Sequence, residues 1–225
     1  MPFAGPRRSV PRDMVTPHPT GGRVSPAVAL ALLESLRLID TPPEDDPGDE
    51  DLPAVPRRLG LSSAVEEQIH RYARLRRNRD GLPEQEVVSL FGLIGRRPDA
   101  RLVFARAGLR LAELYLEDRG IPSRVASSAA PPGLRHRLAL RHLGRLVQRA
   151  NPGGQVRIER RPVGLIVQHC LPARAVGGSE GCALVAGAME RLLATSERCE
   201  VAVAHPLCEG RREPHCLWSL EGSPA

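Results

Sequence analysis

Lysine is absent from the 225-residue chain, so its 32 strongly basic residues are all arginine. Aromatic residues are also scarce, at 3% of the composition. A nucleic-acid-binding protein concentrates positive charge on one surface and commonly offers aromatic rings on which bases stack. Because the arginines are spread along most of the sequence, we expect no nucleic-acid partner despite the net charge of +6.

Long apolar runs are missing as well. No segment approaches the ~20 apolar residues that a transmembrane helix needs, and the N-terminus lacks the apolar region of a secretory signal. We therefore expect a cytoplasmic protein without a transmembrane segment. The five cysteines are an odd number, and disulfides are not expected in a reducing compartment. The thiols are then expected to be buried, reactive or bound to a metal.

The composition changes along the chain predict three parts. Residues 1–24 are rich in Pro, Gly and Arg and are predicted to form a disordered tail. Residues 25–51 are predicted to form a short helix, 25–39, followed by an acidic, proline-rich linker. Residues 52–222 are expected to form the folded domain.

Within the folded domain, hydrophobic periodicity switches from helical to strand-like spacing after residue 150. Further helices are predicted at 64–77, 83–95, 99–118, 133–150 and 179–196. Strands are predicted at 155–161, 163–167, 199–205 and 215–220, the first two as a hairpin. This order indicates an α+β fold, with an antiparallel sheet of about four strands packed on helices. On the helix at 99–118, one face carries Leu102, Ala105, Leu109, Ala112 and Leu116, with Val103 and Leu114 at its sides.

Four residues in the last third of the chain have the types and spacing of a metal site. Cys182 lies in the first turn of the 179–196 helix, His205 ends a strand, Cys208 follows in a knuckle-like turn, and Cys216 starts the final strand. Three thiolates and one imidazole suit tetrahedral Zn²⁺. The pattern therefore predicts an ion that joins the helix to the terminal hairpin.

Buried, metal-free thiols are the alternative, since free cysteine often behaves as a small hydrophobic residue. His215 is adjacent to Cys216 and is an alternative ligand. Cys199 is expected in the core. Cys170 follows His169, but adjacent strand residues point to opposite faces, so we do not expect a catalytic pair there.

The residues of this region resemble the 4-vinyl reductase (4VR) domain family. That family ends with a helix bearing a Cys, then a strand, then a Cys, a Gly-containing loop and a Cys followed by an aromatic residue. The matching segments here are GCALVAGAMERLL, CEVAVAH, Cys208-Glu209-Gly210 and Cys216-Leu217-Trp218. In related phenol-sensing domains three cysteines and an acidic residue hold zinc, and His205 stands roughly where the acidic ligand falls.

The resemblance extends upstream over residues 105–122 and the following helix and strand, and is closest to stand-alone bacteriochlorophyll 4-vinyl reductase-type proteins. It implies a 4-vinyl-reductase/TRAPP-like ligand-binding fold with a structural zinc. The family name also implies a reductase, but the sequence has no G-x-G-x-x-G motif after a strand for a hydride cofactor. We therefore leave enzymatic activity uncertain and favour a non-catalytic protein.

The resemblance further implies an apolar chamber that binds or carries a hydrophobic tetrapyrrole, an intermediate of (bacterio)chlorophyll biosynthesis. The candidate ligand contacts are His136, His142, Arg145, Arg161 and His169. The arginines would meet carboxylates of the ligand, and His142 would ligate a central magnesium or donate to a carbonyl. A solvent-exposed histidine and a solvated arginine face are the alternatives.

Two other functions stay open at the level of sequence. One is a sensor for an aromatic small molecule that acts through a partner protein, and the other is a dimeric scaffold. A partner enzyme of pigment biosynthesis is possible for the carrier. We also expect a homodimer, in which the 25–39 helix packs across a twofold axis.

Overall fold

A computed structural model describes residues 22–41, 56–119, 132–160, 163–197 and 201–220. Most of the predicted tail, most of the acidic linker, Arg161 and Cys199 lie outside these ranges. The described part is an α+β fold of seven α-helices, a four-stranded antiparallel sheet and a two-stranded sheet. The predicted fold class is therefore confirmed at this level. No helix in the described ranges is long and apolar enough to cross a membrane.

Six of the seven helices were predicted within a few residues, and α6 was not predicted. They are α1 (Pro26–Asp40), α2 (Ser63–Asn78), α3 (Glu84–Ile94), α4 (Ala100–Glu117), α5 (Pro132–Ala150), α6 (Leu171–Val176) and α7 (Ala183–Glu197). Serine residues cap the first two: the Ser25 side chain accepts from the Ala27 backbone N–H, and the Ser62 side chain accepts from that of Val65.

Helix α1 is the central element of the helical layer. Its residues are apolar on every side, and all from Pro26 to Leu36 are buried except Glu34. Such a helix lies in the interior of a protein, and α1 packs against α2 and α4 of the same chain. The expectation that this helix forms a dimer interface is therefore wrong, because its apolar surface is already covered.

A buried ion pair fixes the C-terminal end of α1. The Asp40 carboxylate accepts hydrogen bonds from Arg97 at 2.7 and 3.1 Å and from the Gly60 backbone N–H at 2.8 Å. The Asp40 side chain is fully buried and that of Arg97 is 8% exposed. Arg97 also contacts Asp99, and these hydrogen bonds raise the pKa of its guanidinium above the ordinary value. The pair thus ties α1 to the connection between α3 and α4.

Helices α4 and α7 approach each other through glycine. A Cβ added at Gly108 would lie 2.1 Å from the Leu184 carbonyl oxygen, and one at Gly187 would lie 2.3 Å from the Ala105 carbonyl oxygen. Only residues without a side chain allow this crossing. The predicted apolar face of α4 is rotated from the observed one, since Leu102 is 58% exposed whereas Val103 and Leu114 are fully buried.

The larger sheet has the strand order β3-β4-β6-β5, and every neighbouring pair is antiparallel. Its strands are β3 (Gln155–Arg160), β4 (Val163–Gln168), β5 (Val203–Leu207) and β6 (Cys216–Leu220). Strands β3 and β4 form the predicted hairpin. Helix α5 contacts β3 and α7 contacts β5, so the sheet packs on the helices. The smaller sheet pairs β1 (Arg23–Val24) with β2 (Leu82–Pro83).

Candidate metal centre

Three cysteines from separate elements meet where α7 packs on the β5–β6 hairpin. Cys182 ends a 3₁₀ turn, Glu180–Cys182, that leads into α7, Cys208 follows β5, and Cys216 begins β6. The Cys182 sulfur lies 3.7 Å from that of Cys208 and 3.9 Å from that of Cys216. All three side chains are fully buried. The predicted convergence of these thiols is therefore observed.

His205 completes the cluster from within β5. The strand runs past this residue, and its register with β6 shifts between Ala204 and Leu207. An irregularity of this kind can redirect a side chain. The turn expected after His205 is therefore not observed, because the irregular strand continues to Leu207. The His205 ring stacks on Trp218 with centroids 4.6 Å apart, and its buried Nε2 has no hydrogen-bond partner among the described residues.

The four candidate ligand atoms lie close enough together to share one ion. All lie within 4.8 Å of one another. A Zn–S bond of about 2.3 Å places two tetrahedral sulfurs about 3.8 Å apart, which agrees with the 3.7 and 3.9 Å separations. An unpaired buried imidazole nitrogen is costly, and coordination would satisfy it. The group Cys182, His205, Cys208 and Cys216 can therefore hold a metal ion, whereas His215 is not part of it.

Hydrogen bonds around the cluster hold its backbone in place. The Trp218 indole donates to the Cys182 carbonyl oxygen at 3.3 Å, and the Glu209 backbone N–H donates to the Cys216 sulfur at 3.4 Å. The Glu209 carboxylate accepts from the backbone N–H groups of His169 and Cys170, both at 2.7 Å. Such outer contacts orient metal ligands.

Without a cation, most of this cluster would keep its protons. Hydrogen bonds with the thiols of Cys170 and Cys216, together with burial, raise the pKa of Cys182 far above its ordinary value. Burial and the neighbouring charge of Cys216 raise the pKa of Cys208. Thiolates in such a site need a compensating positive charge. Metal binding would therefore displace protons from these thiols.

A fourth sulfur lies beside the cluster and was not predicted there. Cys170 is buried at the start of α6, and hydrogen bonds from the thiols of Cys182 and Cys216 lower its pKa. His169 points to solvent, as the prediction of opposite faces requires, and its backbone is left-handed with φ 57°. Nothing in its sequence spacing distinguishes Cys170 as a neighbour of the three predicted ligands. Cys170 lies beside the cluster because the Glu209 carboxylate accepts hydrogen bonds from the backbone of the β4–α6 connection.

A cavity of about 240 Å³ adjoins the metal centre between α4, α7 and β5. Cys182 and His205 both line it, together with the charged residues Arg101, Glu190 and Arg211. The ligand cluster is thus closed on the core side and reaches a small polar cavity on the other. With these charged residues in its lining, the cavity differs from the apolar ligand chamber that the resemblance implies.

The predicted ligand-contact residues do not converge in the described structure. Arg161 lies outside the described residues, and so does the side chain of His136. Arg145 is exposed on α5 and His169 is exposed near the metal centre. His142 is half-buried on α5, where its Nδ1 lies 3.2 Å from the Tyr115 hydroxyl.

The environment of His142 keeps its imidazole neutral. Burial, followed by the charges of Arg119 and Arg145, lowers its pKa. Of the predicted contact residues whose side chains the structure describes, His142, Arg145 and His169 line neither the 240 Å³ cavity nor the larger groove described below.

Comparisons with protein-family models, with curated proteins and with solved structures found no match to this chain.

Proposed function

We propose that this protein is a non-catalytic small-molecule-binding protein of the 4-vinyl reductase type, stabilised by a structural zinc ion. The observation that carries the proposal is the cluster of four ligand atoms within 4.8 Å of one another. They join the start of α7 to both strands of the terminal hairpin, which is the connection that the resemblance implies.

The donor set supports zinc among the possible metals. Thiolate and imidazole ligands at tetrahedral separations are preferred by Zn²⁺, whereas Mg²⁺ and Ca²⁺ prefer oxygen. Iron–sulfur sites use similar thiolates, but the fourth position here is an imidazole with an unpaired nitrogen. Zinc accordingly fits the observed residues best.

The number of protein ligands supports a structural role for the zinc ion and not a catalytic one. Four side chains complete a tetrahedral shell, and catalytic zinc keeps one position open for water or substrate. In this proposal the zinc holds α7 against β5 and β6, and binding of a ligand occurs elsewhere in the domain. The 4-vinyl-reductase/TRAPP-like fold is itself part of the proposal.

The ligand class we propose is a hydrophobic tetrapyrrole of (bacterio)chlorophyll biosynthesis, which the protein would bind or carry. The support is the resemblance, together with the half-buried His142 paired with Tyr115. Because burial and two arginines keep this imidazole neutral, it has a nitrogen lone pair for a central magnesium or a hydrogen bond for a carbonyl.

Absorbance titration of the purified protein with protoporphyrin and its magnesium complex tests this ligand class. We expect a saturable spectral shift that His142→Gln weakens. The matched control is His70→Gln, because His70 is exposed on α2 and should leave the titration unchanged. Absence of any shift refutes tetrapyrrole binding, and binding of phenols instead would favour the sensor alternative. Zinc content is measured on the same samples, so loss of the metal claim is distinguished from loss of the ligand claim.

A further inference from the structure

An arginine-rich groove of about 800 Å³ lies at the end of the helical layer where α1 begins. Twelve of the described residues line it, and two of these, Asp80 and Asp118, are acidic. Its six arginines are Arg23, Arg76, Arg77, Arg79, Arg119 and Arg149. We propose that this arginine groove binds a small polyanion, a ligand that carries several phosphate or carboxylate groups.

Three of these six guanidinium groups are available to a ligand. Arg76 is engaged by Asp118 at 2.8 Å and Glu117 at 3.0 Å. In contrast, Arg77, Arg79 and Arg149 have no carboxylate partner among the described residues. Guanidinium groups bind phosphate and carboxylate through paired N–H donors. The groove thus offers several guanidinium groups that could bind an anionic ligand.

Arg119 supplies an independent sign that a partner is missing. Its guanidinium lies over the Tyr115 ring, 5.0 Å from the centroid, and its Nε is buried without a hydrogen-bond partner in the part of the chain that the structure describes. A buried donor of this kind is costly when unpaired. An anion in the groove would satisfy it.

Helix dipoles do not account for the charge of the groove. The C-terminal ends of α2, α4 and α5 meet here, and arginine there complements the negative end of each helix. Three such ends carry about −0.5 charge each, and the N-terminus of α1 contributes about +0.5. The six arginines exceed the two aspartates and Glu117, which also pairs with Arg76, by three charges, so about two positive charges remain uncompensated.

The backbone that presents these arginines is fixed by contacts between segments distant in sequence. Strand β1 pairs with β2, which places Arg23 beside Gly81, and its guanidinium donates to the Gly81 carbonyl oxygen at 2.8 Å. The Ser25 backbone N–H donates to the Arg149 carbonyl oxygen at 3.2 Å. A groove of this volume is typical of small-molecule sites, and its rim is pre-organised for one.

The acidic segment of this chain is a less suitable occupant. Residues 44–51 contain six carboxylates, but the described residues on either side, Thr41 and Pro56–Leu61, lie at the opposite end of α1. Gly60 contacts Leu36 and Arg37 there. Because α1 has 15 residues, about 22 Å separates that end from the groove. A separate ligand fits the geometry better.

Calorimetric titration of the full chain with inorganic tripolyphosphate and with citrate tests the proposal. The double variant Arg77→Gln/Arg149→Gln should bind the preferred anion at least about tenfold more weakly, since each lost charge-assisted bond contributes roughly a factor of ten. The control double variant, Arg106→Gln/Arg141→Gln, removes the same charge from exposed arginines outside the groove. It should bind within about twofold of the unmodified chain. Tripolyphosphate or citrate as the tighter ligand identifies the phosphate or the carboxylate class.

Four results would overturn the proposal. The first is no heat with either anion at low salt, and the second is equal weakening in both double variants, which indicates non-specific charge attraction. The third is tight binding only to a single-stranded oligonucleotide, which assigns the groove to nucleic acid. The fourth result is occupation of the groove by the acidic segment of the chain, which a variant with the six carboxylates of 44–51 changed to amides tests. If it binds tripolyphosphate more than about tenfold tighter than the unmodified chain, the acidic segment is the occupant.

Discussion

Replacing Cys182 and Cys170 separately by alanine distinguishes a metal ligand from a neighbouring buried thiol. Both side chains are almost completely buried, at 0% and 1% exposure, and both substitutions remove the same atom. The loss of one buried sulfur should cost about 1 kcal/mol in either variant, as for other small core deletions. Any further difference between them therefore reports the metal.

The magnitude of that difference follows from linkage between binding and folding. An ion present at about 1,000 times its dissociation constant stabilises the folded state by about 4 kcal/mol. Cys182→Ala removes one of four ligands and should lose this stabilisation, for a total of about 5 kcal/mol. For a chain of this size, 1 kcal/mol shifts Tm by roughly 2–4 °C. We expect Tm to fall by about 10–20 °C for Cys182→Ala and by about 2–4 °C for Cys170→Ala.

Calorimetry and metal analysis of the two variants are the measurements. Cys170→Ala should retain about one zinc per chain, and Cys182→Ala should retain little. Equal Tm shifts with equal zinc content would refute the assignment of Cys182 as a ligand. Loss of zinc from Cys170→Ala, with retention in His205→Ala, would show that the Cys170 thiol, not the imidazole, is the fourth ligand.

Three further predictions concern stability. Asp40→Ala should destabilise the protein by about 1–3 kcal/mol in chemical denaturation, because it removes two charge-assisted hydrogen bonds from the buried Arg97, which Asp99 still engages; a loss below about 0.5 kcal/mol would show that the Asp40–Arg97 pair is hydrated. Gly187→Ala should cost about 1–3 kcal/mol, since its Cβ meets the Ala105 carbonyl oxygen, and an unchanged Tm would contradict the close crossing of α4 and α7. The dependence of stability on pH should reverse with the metal. Burial raises the pKa of Cys208 in the metal-free protein. The protein from which a chelator has removed the metal is therefore most stable below the unfolded thiol pKa of about 8.5, and it loses stability above that pH. The zinc-loaded form should instead lose stability in acid, because protons displace the ion; the same pH profile for both forms would argue against thiolate ligation.

Local patterns were sufficient for most of the elements. The capping serines, Ser25 and Ser62, mark the starts of α1 and α2, and the alternation after residue 154 marks the β3–β4 hairpin. The metal cluster could also be predicted, because ligand type and spacing restrict the side chains that a single ion can join.

Other features depend on packing that the spacing does not encode. The buried side of α4 was misjudged because large residues such as Leu102 were weighted above Ala107 and Gly108. Small residues mark the buried side here, since α4 lies between α1 and α7 and the helices approach closely. A helix that packs against two neighbours buries a wide part of its surface, so the search for one narrow apolar face assigned the buried residues of α4 incorrectly.

The arginine groove shows the same limit at a larger scale. Arg23, Arg79, Arg119 and Arg149 are far apart in the sequence, which therefore suggested charge spread over the surface. Their convergence follows from the β1–β2 pairing and from three helices that end on the same side of the domain. Only the fold brings these charges together.

X-ray absorption spectroscopy of the purified protein at the zinc edge is the most direct test of the metal centre. The proposed function predicts one zinc per chain bound by three sulfurs at about 2.3 Å and one nitrogen at about 2.0–2.1 Å. A shell of oxygen and nitrogen ligands alone, or zinc content far below one per chain, would contradict the assignment of Cys182, His205, Cys208 and Cys216 as the metal site.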